Sequence, residues 1–144
     1  YPDAKVRIYA QDTDLLSVSN ASLISIPSEL VSDWYGPYVT KKANGDYTFS
    51  QEIKDSIMFE YHDCKNTNAL PMVDIVFARD ILSLLDEKSQ ESVVADFLEK
   101  MKGNAVAFVG DNETMPSSFG FGEKSVGNFV AYNKEKEMFV YEKR

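Results

Sequence analysis

Apolar positions are densest between Val73 and Glu113, and their spacing changes twice along that stretch. Val73, Ile75, Val76, Phe77 and Ala78 form a nearly continuous apolar run broken only by Asp74, and Ala105 to Val109 form another with no polar interruption. Short runs of this kind predict strands buried on both faces. Between them Val93, Val94, Phe97, Leu98 and Met101 recur at spacings of one, three and four, opposite Glu91, Asp96, Glu99, Lys100 and Lys102. That period is helical. Asp86 is the expected N-cap, because its carboxylate can accept the unpaired amides of the first turn, and Gly103 is the expected stop. The stretch reads as one βαβ unit, two parallel strands joined by a right-handed crossover.

The flanking pattern adds further elements. Lys5 to Gln11 alternates polar and apolar residues, with Val6, Ile8 and Ala10 on one face, and predicts a half-buried strand with Asp12 at its carboxyl end. Asp14 begins a short helical stretch containing Leu15, Leu16, Val18 and Ala21. Pro27 suits the first turn of another helix, with Leu30, Val31, Trp34 and Tyr35 along its apolar side and Gly36-Pro37 as its end. Tyr38 to Lys42 and Asp46 to Phe49 flank Asn44-Gly45, a strong hairpin signal. Ser50 can cap a short helix, Gln51 to Asp55, before a strand from Ile57 to His62 and a loop from Asp63 to Met72. After the central unit come a glycine-containing loop through Gly120 and Gly122, then strands Asn128 to Tyr132 and Met138 to Tyr141. The fold class is α/β, an open mixed sheet with a small hairpin appendage.

Composition narrows the picture. A chain of 144 residues with 44% hydrophobic content fits a single domain able to bury a core without staples. The lone cysteine, Cys64, excludes an internal disulfide and suits a reducing cytoplasm. No apolar run reaches the about 20 residues that span a bilayer, so neither a signal peptide nor membrane insertion is expected. The formal charge of −8 argues against nucleic acid, and the densest basic cluster is only Lys41-Lys42. A protein partner suits an acidic surface better. The first residue is Tyr1, so the chain reads as a piece excised from a longer protein.

The segment VDIVFARDILSLLDEKSQESVVADFLEKMKGNAVAFVGDNET resembles the chemotaxis receptor methyltransferase (CheR) family. Members show a strand ending Phe-Cys-Arg-Asn, then Val-Leu-Ile-Tyr-Phe-Asp, a Thr-Gln pair, a helix, and Gly-Gly-x-Leu-x-x-Gly-His-Ser-Glu, in this order and spacing. Upstream, AKVRIYAQDTD resembles the family's Ile-x-Ala-Thr-Asp-Ile-Asp segment, and IMFEYHDCK its Phe-x-x-x-Asn-Leu-Leu segment. The resemblance runs from about Lys5 to about Tyr141. It implies a Rossmann-like methyltransferase sheet, mostly parallel and closed by a C-terminal antiparallel hairpin, here truncated. The β-subdomain falls at about residues 37–50. The family's donor is S-adenosylmethionine and its product a glutamyl methyl ester on a chemoreceptor.

Compared position by position, the resemblance keeps the architecture and loses much of the chemistry. A nucleotide-type donor needs a glycine-rich turn after the first strand and an acidic residue after the next. Asp12 matches the acidic residue, whereas the glycine turn and first strand would precede Tyr1. Gly120-Phe121-Gly122 comes too late in the chain, and Gly122-Glu123-Lys124-Ser125 lacks P-loop spacing. The family's Asn-Leu-Leu asparagine becomes Asp63, Cys-Arg-Asn becomes Ala78-Arg79-Asp80, its tyrosine becomes Leu84, and Gly-His-Ser-Glu becomes Gly110-Asp111-Asn112-Glu113. Carboxylates at Asp63 and Asp80 are acceptors only, where amides both donate and accept.

The expectation is a non-catalytic domain with no cofactor, S-adenosylmethionine binding being lost, and with Asp12, Asp63 and Arg79 as vestiges of the donor site. The alternative is an active chemoreceptor glutamate methyltransferase whose cofactor-binding half lies upstream. Expected partners are chemotaxis proteins: adaptor, histidine kinase or receptor. In several family members the β-subdomain binds a receptor tail by strand addition, which makes Tyr38, Lys41, Lys42 and Tyr47 candidate interaction residues. Edge lysines equally protect against aggregation.

Plainer roles stand beside these. Asp12 reads equally as a helix N-cap. Arg79 is expected to pair with Asp74 or Asp80. His62 and Cys64 read as structural, with no metal-ligand spacing around them. Trp34, Tyr35 and Tyr38 read as core, and Glu113 as part of a solvated loop. The missing first strand would lie between strands 5–11 and 73–78, so either a re-paired sheet or a homodimer is expected.

Overall fold

A computed structural model describes residues 3–116, 119, 121–126 and 129–134, with side chains described outside 121–134. The chain divides into two compact units, residues 1–63 and 64–144.

In the first unit β1 (Ile8–Asp12) pairs in parallel with β4 (Ile57–Tyr61), in the register Ile8↔Ile57 to Asp12↔Tyr61. Between them lie α1 (Leu15–Asn20), the hairpin of β2 (Val39–Lys41) and β3 (Tyr47–Phe49), and α2 (Gln51–Ser56). Asp14 caps α1 by accepting from the amides of Leu16 at 3.1 Å and Ser17 at 3.3 Å. The Ser17 hydroxyl and these amides hold its carboxyl below the ordinary range. The hairpin turn closes through Lys42 N to Asp46 O at 2.7 Å, and Gly45 alone takes the left-handed conformation, with φ of 93°. Ile26 bridges the outer side of β3 at Tyr47. Within this hairpin the outer edge of β2 carries no further strand among the described residues.

Several expectations fail in this unit. Val6 and Ile8, expected on the buried face of the first strand, are exposed, and Ser50 precedes α2 without a side-chain capping bond. Residues 27–38 form no α-helix: two short 3-10 turns, Ser28–Leu30 and Asp33–Tyr38, replace it, and Gly36-Pro37 lies inside the second. Proline and glycine so close together leave no room for successive i→i−4 hydrogen bonds. Nor are the aromatics core. Trp34 is 77% exposed and meets Tyr35 edge to face at 4.8 Å, and Tyr38 is exposed.

The second unit contains β5 (Val73–Ala78), a 3-10 turn at Leu82–Leu84, α3 (Glu87–Lys100), β6 (Met101–Val109), β7 (Phe121–Val126) and β8 (Phe129–Lys134). The sheet order is β5-β6-β8-β7, with β5 and β6 parallel and the other pairs antiparallel. The predicted βαβ unit is present, and the fold is α/β. Asp86 caps α3 by accepting from Ser89 N at 2.9 Å. Gly103 does not stop the helix: Met101 does, entering the extended conformation and opening β6, with Gly103 inside the strand. The closing hairpin is β7 and β8, so residues 121–126 are strand where a loop was expected, and Met138 to Tyr141 lie outside the described residues.

The core lies under α3. Val93 and Val94 pack against Leu82, Met101, Ala105, Ala107, Val109 and Met115, with Val76, Phe97 and Cys64 at the margin, and Leu98 is buried on the same helix. β5 is therefore covered on one face only. Val76 and Ala78 point inward, while Ile75 is exposed and Phe77 is 70% exposed, stacked on its register partner Phe108 at 5.2 Å. A strand at the edge of its sheet has neighbours on one side, and this apolar run is an edge. The ladders β1–β4 and β5–β6 stand in separate sheets, so the expected re-pairing is not formed among the described residues.

This burial map predicts contrasting costs. Met101→Ala should lose about 2–5 kcal/mol and Leu16→Ala, on the exposed side of α1, within about 0.5 kcal/mol, both read by urea denaturation.

Candidate functional site

Open α/β sheets bind ligands beyond the carboxyl ends of their parallel strands. In the second unit those ends are Ala78 and Val109, paired in register, so Arg79-Asp80 and Gly110-Asp111 leave the sheet side by side. Glu113 ties the two exits together. Its Oε2 accepts from the amides of Asp80 and Gly110, both at 2.7 Å, and its Oε1 from Ser83 N at 2.8 Å. The return turn is closed by Glu113 N donating to Gly110 O at 3.0 Å.

Glu113 is thus not in a solvated loop. It is 9% exposed and the one buried charged residue among those described. Burial pushes its carboxyl up, but the amides of Ser83, Gly110 and Asp80 outweigh this and hold it below the ordinary range. Asp80 sits at φ of 58°, the one non-glycine left-handed residue described. Aspartate tolerates that region better than most residues, and the bond from its amide to Glu113 offsets the strain. Gly110 is needed where it is: a Cβ there would collide with Asp80 Oδ1 and lie 2.9 Å from Glu113 Oε2.

Arg79 donates to Asp111, Nη2 to Oδ1, at 2.8 Å, and not to Asp74 or Asp80. Asp74 is taken by Lys102 at 2.7 Å. Asp80 turns its carboxylate over Gly110 instead. Leu84, at the end of the 3-10 turn, is 82% exposed and brings no hydroxyl to this edge.

The first unit has its own strand ends. Asp12 closes β1, and its carbonyl accepts from His62 N at 3.0 Å, just past β4, with Asp63 next in the chain. Asp12 Oδ1 accepts from Asp14 N at 2.8 Å. Asp12 therefore shapes the turn into α1, and the N-cap is Asp14. Asp12, His62 and Asp63 lie together at this end, while Arg79 belongs to the second unit. Cys64 packs at the margin of the second unit's core. Of the hairpin residues, Tyr38 and Lys41 are exposed, Lys42 Nζ reaches Ser25 Oγ at 3.5 Å, and both backbone groups of Tyr47 are used by Ile26. Among the described residues no group of three or more His, Cys, Asp or Glu could hold a metal ion, and no helix is long and apolar enough to cross a membrane.

Sequence reasoning named Glu113 but missed its role. The available signal was its place three residues after Gly110, where a carboxylate can turn back on the exposed amides at a strand end.

With this geometry in place, comparison with known proteins is informative. The profile of the CheR methyltransferase, SAM binding domain, matches residues 1–126. The chain belongs to the CheR methyltransferase family. It is 27% identical over 109 residues to chemotaxis protein methyltransferase 2 of Vibrio cholerae serotype O1, covering 72% of this chain and 38% of that protein. The chain thus spans under half the length of that relative. A Haemophilus influenzae crystal structure described as an inferred methylase covers 90% of this chain and 71% of its own at 17% identity, with a TM-score of 0.42.

The Glu113 clasp predicts a pH dependence. A carboxylate with a depressed folded-state pKa adds stability above its ordinary value of about 4.3, lost as pH falls through the lower folded value. Glu113→Gln leaves amide donors facing an NH2 group, so it should cost about 2 kcal/mol near neutral pH and flatten the acid limb of the stability curve. Denaturant titrations between pH 7 and pH 3 check both.

Proposed function

We propose that this CheR-family domain is a non-catalytic protein-interaction or structural module of a chemotaxis system, working with an adaptor, histidine kinase or receptor. The observation that carries this reading is the Arg79–Asp111 pair at the carboxyl end of β5. Methylating a glutamate requires that an acceptor carboxylate be held beside the donor, and here the guanidinium at this edge already has a carboxylate. Asp80 and Asp111 would repel a second one.

Three further observations support it. Leu84 offers no hydroxyl to orient an acceptor. Gly110, where a backbone could have lain open to a ligand, is covered by the Asp80 side chain. The first unit exposes Leu15, Leu16, Leu23, Leu30 and Trp34, apolar side chains that a protein partner could cover.

A second reading is that of an S-adenosylmethionine-dependent chemoreceptor glutamate methyltransferase, with the glycine-rich cofactor turn supplied by other parts of a longer protein. It draws on the 38% coverage of the Vibrio relative, which leaves most of that protein unmatched. Asp12, which ends β1 with a carboxylate, suits ribose hydroxyls in that reading.

Isothermal titration of the full protein with S-adenosylmethionine, paired with a radiolabelled methyl-transfer assay on chemoreceptor fragments, separates the two. The non-catalytic reading expects neither binding nor transfer. Micromolar donor affinity with receptor labelling would establish the second.

A further inference from the structure

We infer that Asp111 is a built-in carboxylate ligand that masks a carboxylate-binding guanidinium at Arg79. The inference rests on the reading that no substrate glutamate uses Arg79, and it deepens that reading by assigning the block to one side chain. The pair lies 32 residues apart in sequence, 2.8 Å from Nη2 to Oδ1, with side chains 41% and 79% exposed.

An exposed pair of this kind is ordinarily weak, because two long side chains lose freedom to hold one geometry in water. Here much of that ordering is already done. The amide of Asp80, next to Arg79, and the amide of Gly110, next to Asp111, bind the same Glu113 oxygen at 2.7 Å. Both backbones are therefore held at a fixed separation, and the parallel register Ala78↔Val109 fixes it from the sheet side. Preorganisation makes the internal carboxylate hard to displace, as a tethered ligand always competes well with a free one. A carboxylate arriving from outside has to displace Asp111 and pass Asp80.

Arginine-specific labelling tests this. Phenylglyoxal reacts with accessible guanidinium groups, and peptide mass spectrometry reads Arg79 separately from Arg7, whose guanidinium donates to the Met58 sulfur at 3.7 Å. Normalised to Arg7, Asp111→Asn should label Arg79 up to about fivefold faster than wild type, the scale of an ion pair at the upper end of the exposed range. N-acetylglutamate as probe should then slow labelling in Asp111→Asn and leave wild type unchanged. Asp111→Glu, which keeps a carboxylate within reach, should label more slowly than Asp111→Asn. Amide exchange at Asp80 and Gly110 should match wild type in every variant.

Equal Arg79 rates in wild type and Asp111→Asn would overturn the proposal, as would equal protection by N-acetylglutamate in both. An Asp111→Glu rate equal to that of Asp111→Asn would also overturn it. Loss of amide protection in Asp111→Asn would mean that the pair holds the loops together instead of masking the guanidinium, and the proposal would fall. None of these readouts involves the methyl donor, so failure here and failure of the non-catalytic reading are distinguishable.

Discussion

Three amides converging on one buried carboxylate determine the shape of the carboxyl-end edge of the second unit's parallel strands. Where β5 and β6 leave the sheet, their backbones lose ladder partners, and buried amides without partners are costly. Glu113 supplies acceptors to Asp80, Ser83 and Gly110 at once. The left-handed turn at Asp80, the start of the Leu82–Leu84 turn and the glycine at 110 are all compatible with this one solution. Leu82 then enters the core, and Gln90 Nε2 donates to Leu82 O at 2.9 Å and Leu85 O at 3.0 Å, locking the turn to the first part of α3.

The two units are held by different means. Every fully buried hydrophobic residue described lies between Ala78 and Met115, so the second unit has a core in the usual sense. The first has none. Its order comes from backbone pairing of β1 with β4, the Asp14 cap, the Asp46 contacts to Ser25 Oγ and Asn44 Nδ2, both at 2.9 Å, and the Ile26 bridge to Tyr47. Local polar contacts set conformation well but contribute little net stability against chain entropy. A segment so organised is specific in shape and poor in burial.

That contrast explains which features the sequence revealed. The α3 stripe of Val93, Val94, Phe97 and Leu98 was readable because it is buried against one face, and periodicity reports burial. The Asp86 cap, the Asn44-Gly45 turn and the parallel strands were readable because their signals are local. Residues 27–38 were misread because an apolar period without a buried face does not make a helix. The exposure of Phe77 could not be read either: an edge strand and a central strand carry the same apolar run. Arg79 pairs with a side chain 32 positions away, and Glu113 with backbone amides up to 33 positions away, and no side-chain pattern encodes a backbone amide.

The Arg79–Asp111 contact is a single Nη2–Oδ1 bond, not a bidentate fork. Its charge is balanced, yet a guanidinium has further donors that such a contact leaves unused. A second carboxylate approaching them meets Asp111 and Asp80 and is disfavoured by like charge. A neutral acceptor, such as a peptide carbonyl, meets no such penalty and can accept from the remaining N–H groups. At this edge a carboxylate thus meets a charge penalty that an uncharged acceptor does not.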